Sequence, residues 1–266
     1  MINTLRVHRL AHPFERAVDE YWTLYKEAFP IPSERETKKR IRTILKSPSC
    51  RAKDLYQDTL LLLAYLRNNP TSGNMADYVQ NRSMAFGIQW YCFTERKQRV
   101  KGIGRFIHDK AMESLRETAK KQGRKGLDVI VCEINYPERM NPEDTELDSE
   151  AMDPYERLKV WHGLGYRAVD PAKFNYVQPA LTKNHKPYDG LLFCVRPVDK
   201  PFSTRIPADY LKQLLWLHTW AGFENIPGSD ISGFRNPETD PTYKEMARQL
   251  HGLRSLPLVP LDKFSE

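Results

Sequence analysis

The chain has 266 residues, of which 40% are hydrophobic and 28% charged, and its formal net charge is +7 at pH 7. This length and apolar content can build a packed core and exclude a disordered chain. No apolar run reaches the roughly 18 to 20 residues that a membrane span needs, and the N-terminus lacks the apolar stretch of a secretory signal, so we expect a cytoplasmic protein.

Hydrophobic spacing predicts the elements of the N-terminal half. Residues 5–8 are expected to form a strand and residues 14–29 an amphipathic helix. Residues 33–36 have the serine and glutamate of a capping box, which would open a second helix. Three strands are predicted after it, over residues 59–65, 75–80 and 85–94. A turn-rich break over residues 68–74 would separate the first strand from the second.

The second half alternates helices and strands. A helix is predicted over 105–121, ended by Gln122 and Gly123, and a buried strand over 127–132. Asp153 and Pro154 are typical of a helix start, and that helix would end at residues 163–165. Further elements are predicted at 166–169 (strand), 190–196 (strand) and 208–220 (helix). We predict a main domain over residues 1–196 and a C-terminal extension over 197–266 that packs on it.

The charged residues and the cysteines limit the kinds of ligand-binding and metal-binding site that we expect in this chain. Cations concentrate in residues 96–125, and no recognised nucleic-acid-binding motif accompanies them. Acids concentrate in residues 143–153, for which we favour a solvated loop. The four cysteines form no C-x-x-C pair, and three lie in apolar runs, so we expect neither disulfides nor a metal site. They are Cys50, Cys92, Cys132 and Cys194.

A glycine loop precedes the helix at 105–121, with the sequence Arg99-Val100-Lys101-Gly102-Ile103-Gly104. Glycines let the backbone approach a ligand closely, and the first N–H groups of a helix have no partner within it, so such a loop binds phosphate readily. The spacing matches neither the Walker loop nor the dinucleotide fingerprint. An ordinary strand-to-helix turn is the alternative.

This R-x-x-G-x-G pattern resembles the pyrophosphate loop of the GNAT-type N-acyltransferases. The later stretch Val160-Trp161-His162-Gly163-Leu164-Gly165-Tyr166 is similar to the F-Y-x-x-L-G-F phrase of that family, and the order of elements agrees over residues 5–196. The resemblance is to bacterial-type members, here with a C-terminal extension. It implies an α+β, three-layer fold with a mixed, mostly antiparallel central sheet flanked by helices.

The resemblance also implies acetyl-CoA or a longer acyl-CoA as co-substrate. The strand before the loop would pair with the pantetheine arm through main-chain groups, and a residue after the later strand would also contact coenzyme A. The residues implied for the diphosphate are Arg99, Val100, Lys101, Gly102, Ile103, Gly104 and Arg105. Those implied for the rest of the cofactor are Tyr91, Phe93, Thr94, Asn135 and Trp161.

Acyl transfer to an amine needs a base for the ammonium proton and an acid for the leaving thiolate. Glu133 ends an apolar strand, where burial would raise its pKa, and is the candidate base. A structural salt bridge from Glu133 to an arginine such as Arg157 is the alternative. Trp161 replaces the tyrosine that many family members use as the acid. Tyr155, Tyr176 or a water could take that role.

Tyr176 and Gln178 are also candidates for the acceptor pocket, although a packed connection between strands would explain them too. The sequence therefore favours an N-acyltransferase that acts on a primary amine of a small molecule or peptide by direct attack. The acids at 143–153 would then attract a cationic acceptor if they do not simply form a solvated loop. A noncatalytic acyl-CoA-binding or partner-binding module and a nucleic-acid-binding protein are the alternatives.

Overall fold

The computed structural model describes residues 5–31, 35–99, 102–180, 186–200, 202, 204–224 and 236–264. The chain forms two compact units. The first contains Met1–Asp128 and Pro142–Asp153, and the second contains Val129–Asn141 and Pro154–Glu266. No helix in the described ranges is both long and apolar enough to cross a membrane.

The first unit is built on antiparallel strands with four helices. Its strands are β1 (Leu5–Arg9), β2 (Ser49–Ala52), β3 (Leu55–Leu66), β4 (Asn69–Gln80) and β5 (Ala85–Thr94). Its helices are α1 (Arg16–Ala28), α2 (Lys38–Lys46), α3 (Ile103–Lys121) and α4 (Pro142–Ala151). The strands are ordered β1-β3-β4-β5, and β2 also pairs with β3.

Alternation along β3 gives this sheet two buried faces, because successive side chains of a strand point to opposite sides. Leu61 and Leu63 belong to the core formed with α1, in which Tyr21 and Tyr25 are fully buried. The intervening residues of β3 pack with Ile107 of α3 instead. The long apolar run of β3 is therefore explained by helices on both faces.

Three local predictions in this unit are wrong. The break expected at 68–74 is only a tight turn at Arg67 and Asn68, whose φ angles are 50° and 69°, and β4 starts at once after it. Helix α2 is capped by Thr37, which accepts the Arg40 N–H at 3.1 Å, and Ser33 of the expected capping box lies outside the described residues. The acidic segment forms α4 rather than a loop, and its Asp148 is buried.

The second unit also consists of antiparallel strands and helices. Its strands are β6 (Val129–Asn135), β7 (Arg167–Val169), β8 (Leu191–Pro197), β9 (Arg205–Pro207) and β10 (Ser255–Pro260). Its helices are α5 (Pro154–Gly163), α6 (Ala208–Glu224) and α7 (Pro241–Gln249). The strand order is β6-β8-β7-β10-β9.

The fold class predicted from the sequence, a mostly antiparallel sheet flanked by helices, is confirmed. Strands β9 and β10 and helix α7 were not predicted. Helix α7 has a clear start signal, since Asp240 accepts the N–H groups of Thr242 and Tyr243 and Pro241 takes the first helical position. Strand β10 pairs with β7, and the domain boundary at residue 196 stays a prediction.

Candidate active site

Strand β5 contains a β-bulge at Trp90. The register with β4 passes from Ala76 opposite Gln89 to Met75 opposite Tyr91, so Trp90 is inserted between paired residues. The amide of Gln89 donates to the carbonyl oxygens of Met75 and Tyr91, at 3.0 and 2.9 Å, and thereby fixes the backbone on both sides of the insertion. A bulge bends its strand and redirects the groups that follow it.

The bulge is also held by a buried carboxylate of β4. The Nε1 of Trp90 donates to Oδ2 of Asp77 at 2.7 Å, and the same oxygen accepts Nε2 of Gln57 at 2.7 Å. Asp77 is fully buried, so its carboxylate depends on these donors in place of water. The polar contacts of this strand are therefore fixed by neighbouring strands rather than by loops.

The residues predicted to contact the pantetheine arm follow the bulge. The rings of Tyr91 and Phe93 pack against Tyr25 of α1, at centroid distances of 4.9 and 5.7 Å. The hydroxyl of Thr94 lies 3.0 Å from that of Ser72. Phe93 is buried in this core, whereas Tyr91 packs against it and is partly exposed. Contact of their main-chain groups with a pantetheine arm stays a prediction.

The glycine loop leads directly into α3. Gly102 caps the helix with a φ of 76°, in the left-handed region that glycine adopts readily, and a Cβ there would meet no atom within 4 Å. A Cβ at Gly104 would lie 3.2 Å from the hydroxyl of Thr94, so the helix start sits close to the end of β5. Ile103 is buried and Arg105 exposed. Val100 and Lys101, also predicted here, lie outside the described residues.

Arg99 serves a purpose that the sequence did not indicate. Its Nε donates to the carbonyl oxygen of Thr94 at 3.2 Å, and its Nη1 donates to that of Ala151, at the end of α4. Arg96 makes a similar contact with the carbonyl of Glu150 at 3.5 Å. Cations at the carbonyl end of a helix are favourable because they satisfy its last C=O groups and its dipole. These bonds use N–H groups of Arg99 that the prediction assigned to phosphate.

Glu133 lies near the end of β6, opposite Phe193 of β8, and is only partly exposed. The hydroxyl of Tyr176 donates to its Oε1, and Nε2 of Gln178 donates to its Oε2 at 2.7 Å. Burial raises the pKa of Glu133 to about 7, although both hydrogen bonds act in the opposite direction. In the described part of the chain its hydrogen-bond partners are these two neutral side chains and not an arginine such as Arg157.

Tyr176 is buried beneath this carboxylate. Burial, and then the adjacent charge of Glu133, raise the pKa of the Tyr176 hydroxyl well above its usual value, so it stays protonated. Its ring packs 4.9 Å from that of Phe193, and the ring of His218 from α6 stands edge-on to both, at 6.5 Å from Tyr176 and 5.4 Å from Phe193. Burial lowers the pKa of His218 to about 3, so this ring is neutral.

The backbone of Gln178 is fixed by a two-bond bridge to Tyr188. The Gln178 N–H donates to the Tyr188 carbonyl at 2.8 Å, and the Tyr188 N–H donates back at 3.0 Å. A Cβ on Gly190 would come within 2.2 Å of the Tyr188 hydroxyl, so glycine is required where this ring lies. The three residues Glu133, Tyr176 and Gln178 thus form one fixed cluster, here called the carboxylate cluster.

The other predicted site residues lie outside this cluster. Tyr155, at the start of α5, is 40% exposed, and the hydrogen bonds to Glu133 come from other residues. Asn135 is buried at the end of β6. Trp161 packs its ring edge-on against Tyr166, with 5.0 Å between centroids. All four cysteines are free thiols, and no metal-binding group of His, Cys, Asp or Glu occurs in the described ranges.

Sequence reasoning missed Phe193 and His218, which enclose Tyr176. Phe193 occupies an ordinary strand position. His218 lies among leucines of an apolar helix, where a buried core histidine is the usual reading. No spacing or motif in the sequence links His218 of α6 to Tyr176 or Phe193, because these contacts depend on tertiary packing alone.

Several solved structures are similar to this chain. A protein from Bacteroides thetaiotaomicron described as an acetyltransferase of the GNAT family matches 82% of this chain and 98% of its own, with 15% identity and a TM-score of 0.48. The ribosomal-protein-S18-alanine N-acetyltransferase from Escherichia coli matches 74% and 96%, with 9% identity and a TM-score of 0.41. An aminoglycoside 6'-N-acetyltransferase complexed with coenzyme A matches 74% and 99%, with 11% identity and a TM-score of 0.45.

No protein-family model and no curated protein sequence matches the chain. At 9–15% identity, no catalytic residue or acceptor carries over from these proteins to this chain.

Proposed function

We propose that this protein is an acyl-CoA-dependent N-acyltransferase that moves an acetyl or longer acyl group to a primary amine of a small molecule or peptide. One observation carries the proposal: Glu133 is a partly buried carboxylate with a pKa of about 7, held by two neutral donors. A base with a pKa near the working pH is both available in its ionised form and strong enough to accept a proton.

The glycine loop would bind the diphosphate of coenzyme A. The N–H groups of the first turn of α3 point out of the helix start, and the positive end of the helix dipole favours an anion there. Gly102 and Gly104 keep that approach free of side chains. The main chain of β5 from Tyr91 to Thr94 would pair with the pantetheine arm, and Asn135 and Trp161 are the remaining proposed contacts.

The proposed reaction is direct attack of the amine on the thioester. A C–N bond forms, the C–S bond breaks, Glu133 takes the proton from the amine, and the sulfur leaves as a thiolate that is then protonated. Each oxygen of Glu133 already accepts one hydrogen bond. A carboxylate oxygen has two acceptor sites, so both oxygens keep capacity for the proton.

We assign Tyr176 to positioning rather than to acid catalysis. A hydroxyl whose pKa is raised well above its usual range is a weak proton donor to a thiolate, but it donates a hydrogen bond reliably. Together with Gln178 it fixes both oxygens of Glu133. Tyr155, which is exposed, and water remain the candidates for the acid.

The test is thiol release from acetyl-CoA and from longer acyl-CoA in the presence of a panel of amines, with mass spectrometry of the acylated product. Amine-dependent thiol release that falls at least a hundredfold in Glu133→Gln would support the proposal. A noncatalytic acyl-CoA-binding module is the second candidate. It is favoured by Trp161, because many members of the family that the sequence resembles have a tyrosine at this position. It predicts that acyl-CoA binds but that no amine releases its thiol.

A further inference from the structure

A second concentration of positive charge lies in the first unit, in a groove of about 370 Å³ at the C-terminal end of α3. Four cations and one acid line this groove, together with uncharged residues. The charged residues are Arg51, Lys53, Arg82, Arg124 and Asp54, and we call the site the basic groove.

The basic groove is separate from the glycine loop. Helix α3 has 19 residues, and at 1.5 Å per residue its two ends are about 28 Å apart. The glycine loop precedes its first residue, whereas Arg124 follows its last. Of the cations that concentrate in residues 96–125, only Arg124 lines the basic groove.

The cations of the groove come from four places in the chain. Arg51 belongs to β2, Lys53 to the β2–β3 turn and Arg82 to the β4–β5 turn, while Arg124 follows α3. The carbonyl end of a helix attracts cations, which accounts for Arg124. It does not account for the three cations that other segments bring to the same groove.

The three guanidinium groups are held by neighbouring groups. Arg51 donates to the side chain of Gln122 at 2.8 Å and lies 4.9 Å from the ring centroid of Tyr56. Arg124 donates to the carbonyl of Asn81. Each of these bonds uses one of the five N–H donors of a guanidinium.

Arg82 pairs with Asp54 at 3.0 Å, and it is 84% exposed. One acid among four cations leaves the groove with three uncompensated positive charges. Since Arg51 and Arg124 are held in place and retain unused donors, they can bind an anion with little loss of side-chain freedom.

Lys53 supports the same conclusion. It lies in the two-residue turn between Ala52 and Leu55, and its φ of 54° is in the left-handed region. Glycine or asparagine is favoured at such a turn position, because an L side chain is disfavoured there. A lysine at this position keeps a positive charge at the groove in spite of its backbone cost.

We propose that the basic groove binds a chain of linked phosphates, as in inorganic tripolyphosphate or the phosphate tail of a nucleotide. Guanidinium groups match phosphate oxygens in pairs, and three uncompensated charges fit an anion of several charges. The lining is charged and polar, so an acyl chain or another apolar ligand does not fit. The proposal is independent of the acyltransferase function.

The experiment is calorimetric titration of the full chain with tripolyphosphate. Coenzyme A is present at saturation to occupy the glycine loop, because that loop would also bind phosphates. Lys53→Gln with Arg82→Gln removes two exposed cations from the groove. The matched control is Lys244→Gln with Arg248→Gln on α7, which also removes one exposed lysine and one exposed arginine of a surface ion pair.

We expect the groove variant to bind tripolyphosphate at least about tenfold more weakly and the control to match the wild type, with coenzyme A affinity unchanged in both. Hydrogen exchange should show protection of residues 51–54, 81–82 and 122–124 on binding. Equal weakening in both variants, or no binding by the wild type, would overturn the proposal. So would binding of an RNA oligonucleotide or an acidic peptide at the groove when tripolyphosphate does not bind.

Discussion

Replacing Glu133 with Gln removes one titrating group from the carboxylate cluster and keeps its shape. The pKa of Glu133 is about 7 in the folded chain against an ordinary value of 4.5. At about 1.4 kcal/mol for each pH unit, this difference corresponds to about 3 kcal/mol by which folding favours the neutral carboxyl over the ionised one. That free energy is the magnitude to be tested.

The sign follows from linkage between folding and proton binding. Because the folded pKa is raised, the stabilising contribution of the neutral carboxyl is fully present below about pH 4.5 and is lost as the pH rises through about 7. Relative to Glu133→Gln, the free energy of unfolding of the wild type should therefore fall by about 3 kcal/mol between pH 4.5 and pH 8. Urea unfolding of both proteins across this range measures it.

Two features make this comparison specific. Taking the difference between the two proteins cancels the titration of every other group, His218 included. Glu138→Gln is the matched control, because Glu138 also accepts a tyrosine hydroxyl, that of Tyr136 at 2.8 Å, but is exposed. A difference between wild type and Glu133→Gln that does not change with pH would refute the burial of an ionisable Glu133.

The same variant tests the proposed chemistry. If Glu133 is the base, the wild-type kcat/KM should rise with pH through an inflection near 7, since only the ionised carboxylate accepts a proton. Glu133→Gln should lower kcat by about two to four orders of magnitude and remove that inflection. Normal turnover by the variant, with the inflection intact, would assign the base to another group.

Three further outcomes are expected. Gly104→Glu should abolish coenzyme A binding in a calorimetric titration, because the new carboxylate would lie at the helix start and repel the diphosphate. Its Cβ would lie 3.2 Å from the Thr94 hydroxyl. Unchanged affinity would contradict the assignment of the glycine loop. Arg99→Ala should lower the free energy of unfolding by about 1 to 3 kcal/mol through the lost bonds to carbonyls such as that of Ala151, yet weaken coenzyme A binding less than Gly104→Glu does. His218→Phe should remove the part of the wild-type stability that is present above pH 6.5 and lost as the pH falls towards 3, which urea unfolding at pH 7 and pH 4 would show.

The sequence predicted those elements whose signals are local. Strand β5 was predicted with its observed bounds, and α5 begins at Pro154 as its cap indicated. The prediction failed at β4, where Pro70 and Gly73 are typical of a turn. A Cβ at position 73 would lie 2.1 Å from the ring of Phe93, so this glycine is needed by a neighbouring strand and not by a turn.

The candidate site was also predicted only in part. Glu133, Tyr176 and Gln178 were each identified by position or composition, and the structure brings them together. Their mutual contacts could not be predicted, because 43 and 45 residues separate Glu133 from its two donors. The contacts of Arg99 with α4 could not be predicted either, because the sequence around an arginine beside a glycine loop does not show whether it binds phosphate or a backbone carbonyl.

Helix α4 has a consequence for dissection of the chain. It belongs to the first unit, although the residues on both sides of it, Val129–Asn141 and Pro154–Glu266, belong to the second. The polypeptide therefore passes between the units three times, and no single cleavage point separates them. A fragment ending at residue 128 would lack α4 and leave Arg96 and Arg99 without the carbonyls of Glu150 and Ala151. We expect limited proteolysis between residues 136 and 154 to yield two pieces that stay associated, and neither piece to fold when expressed alone.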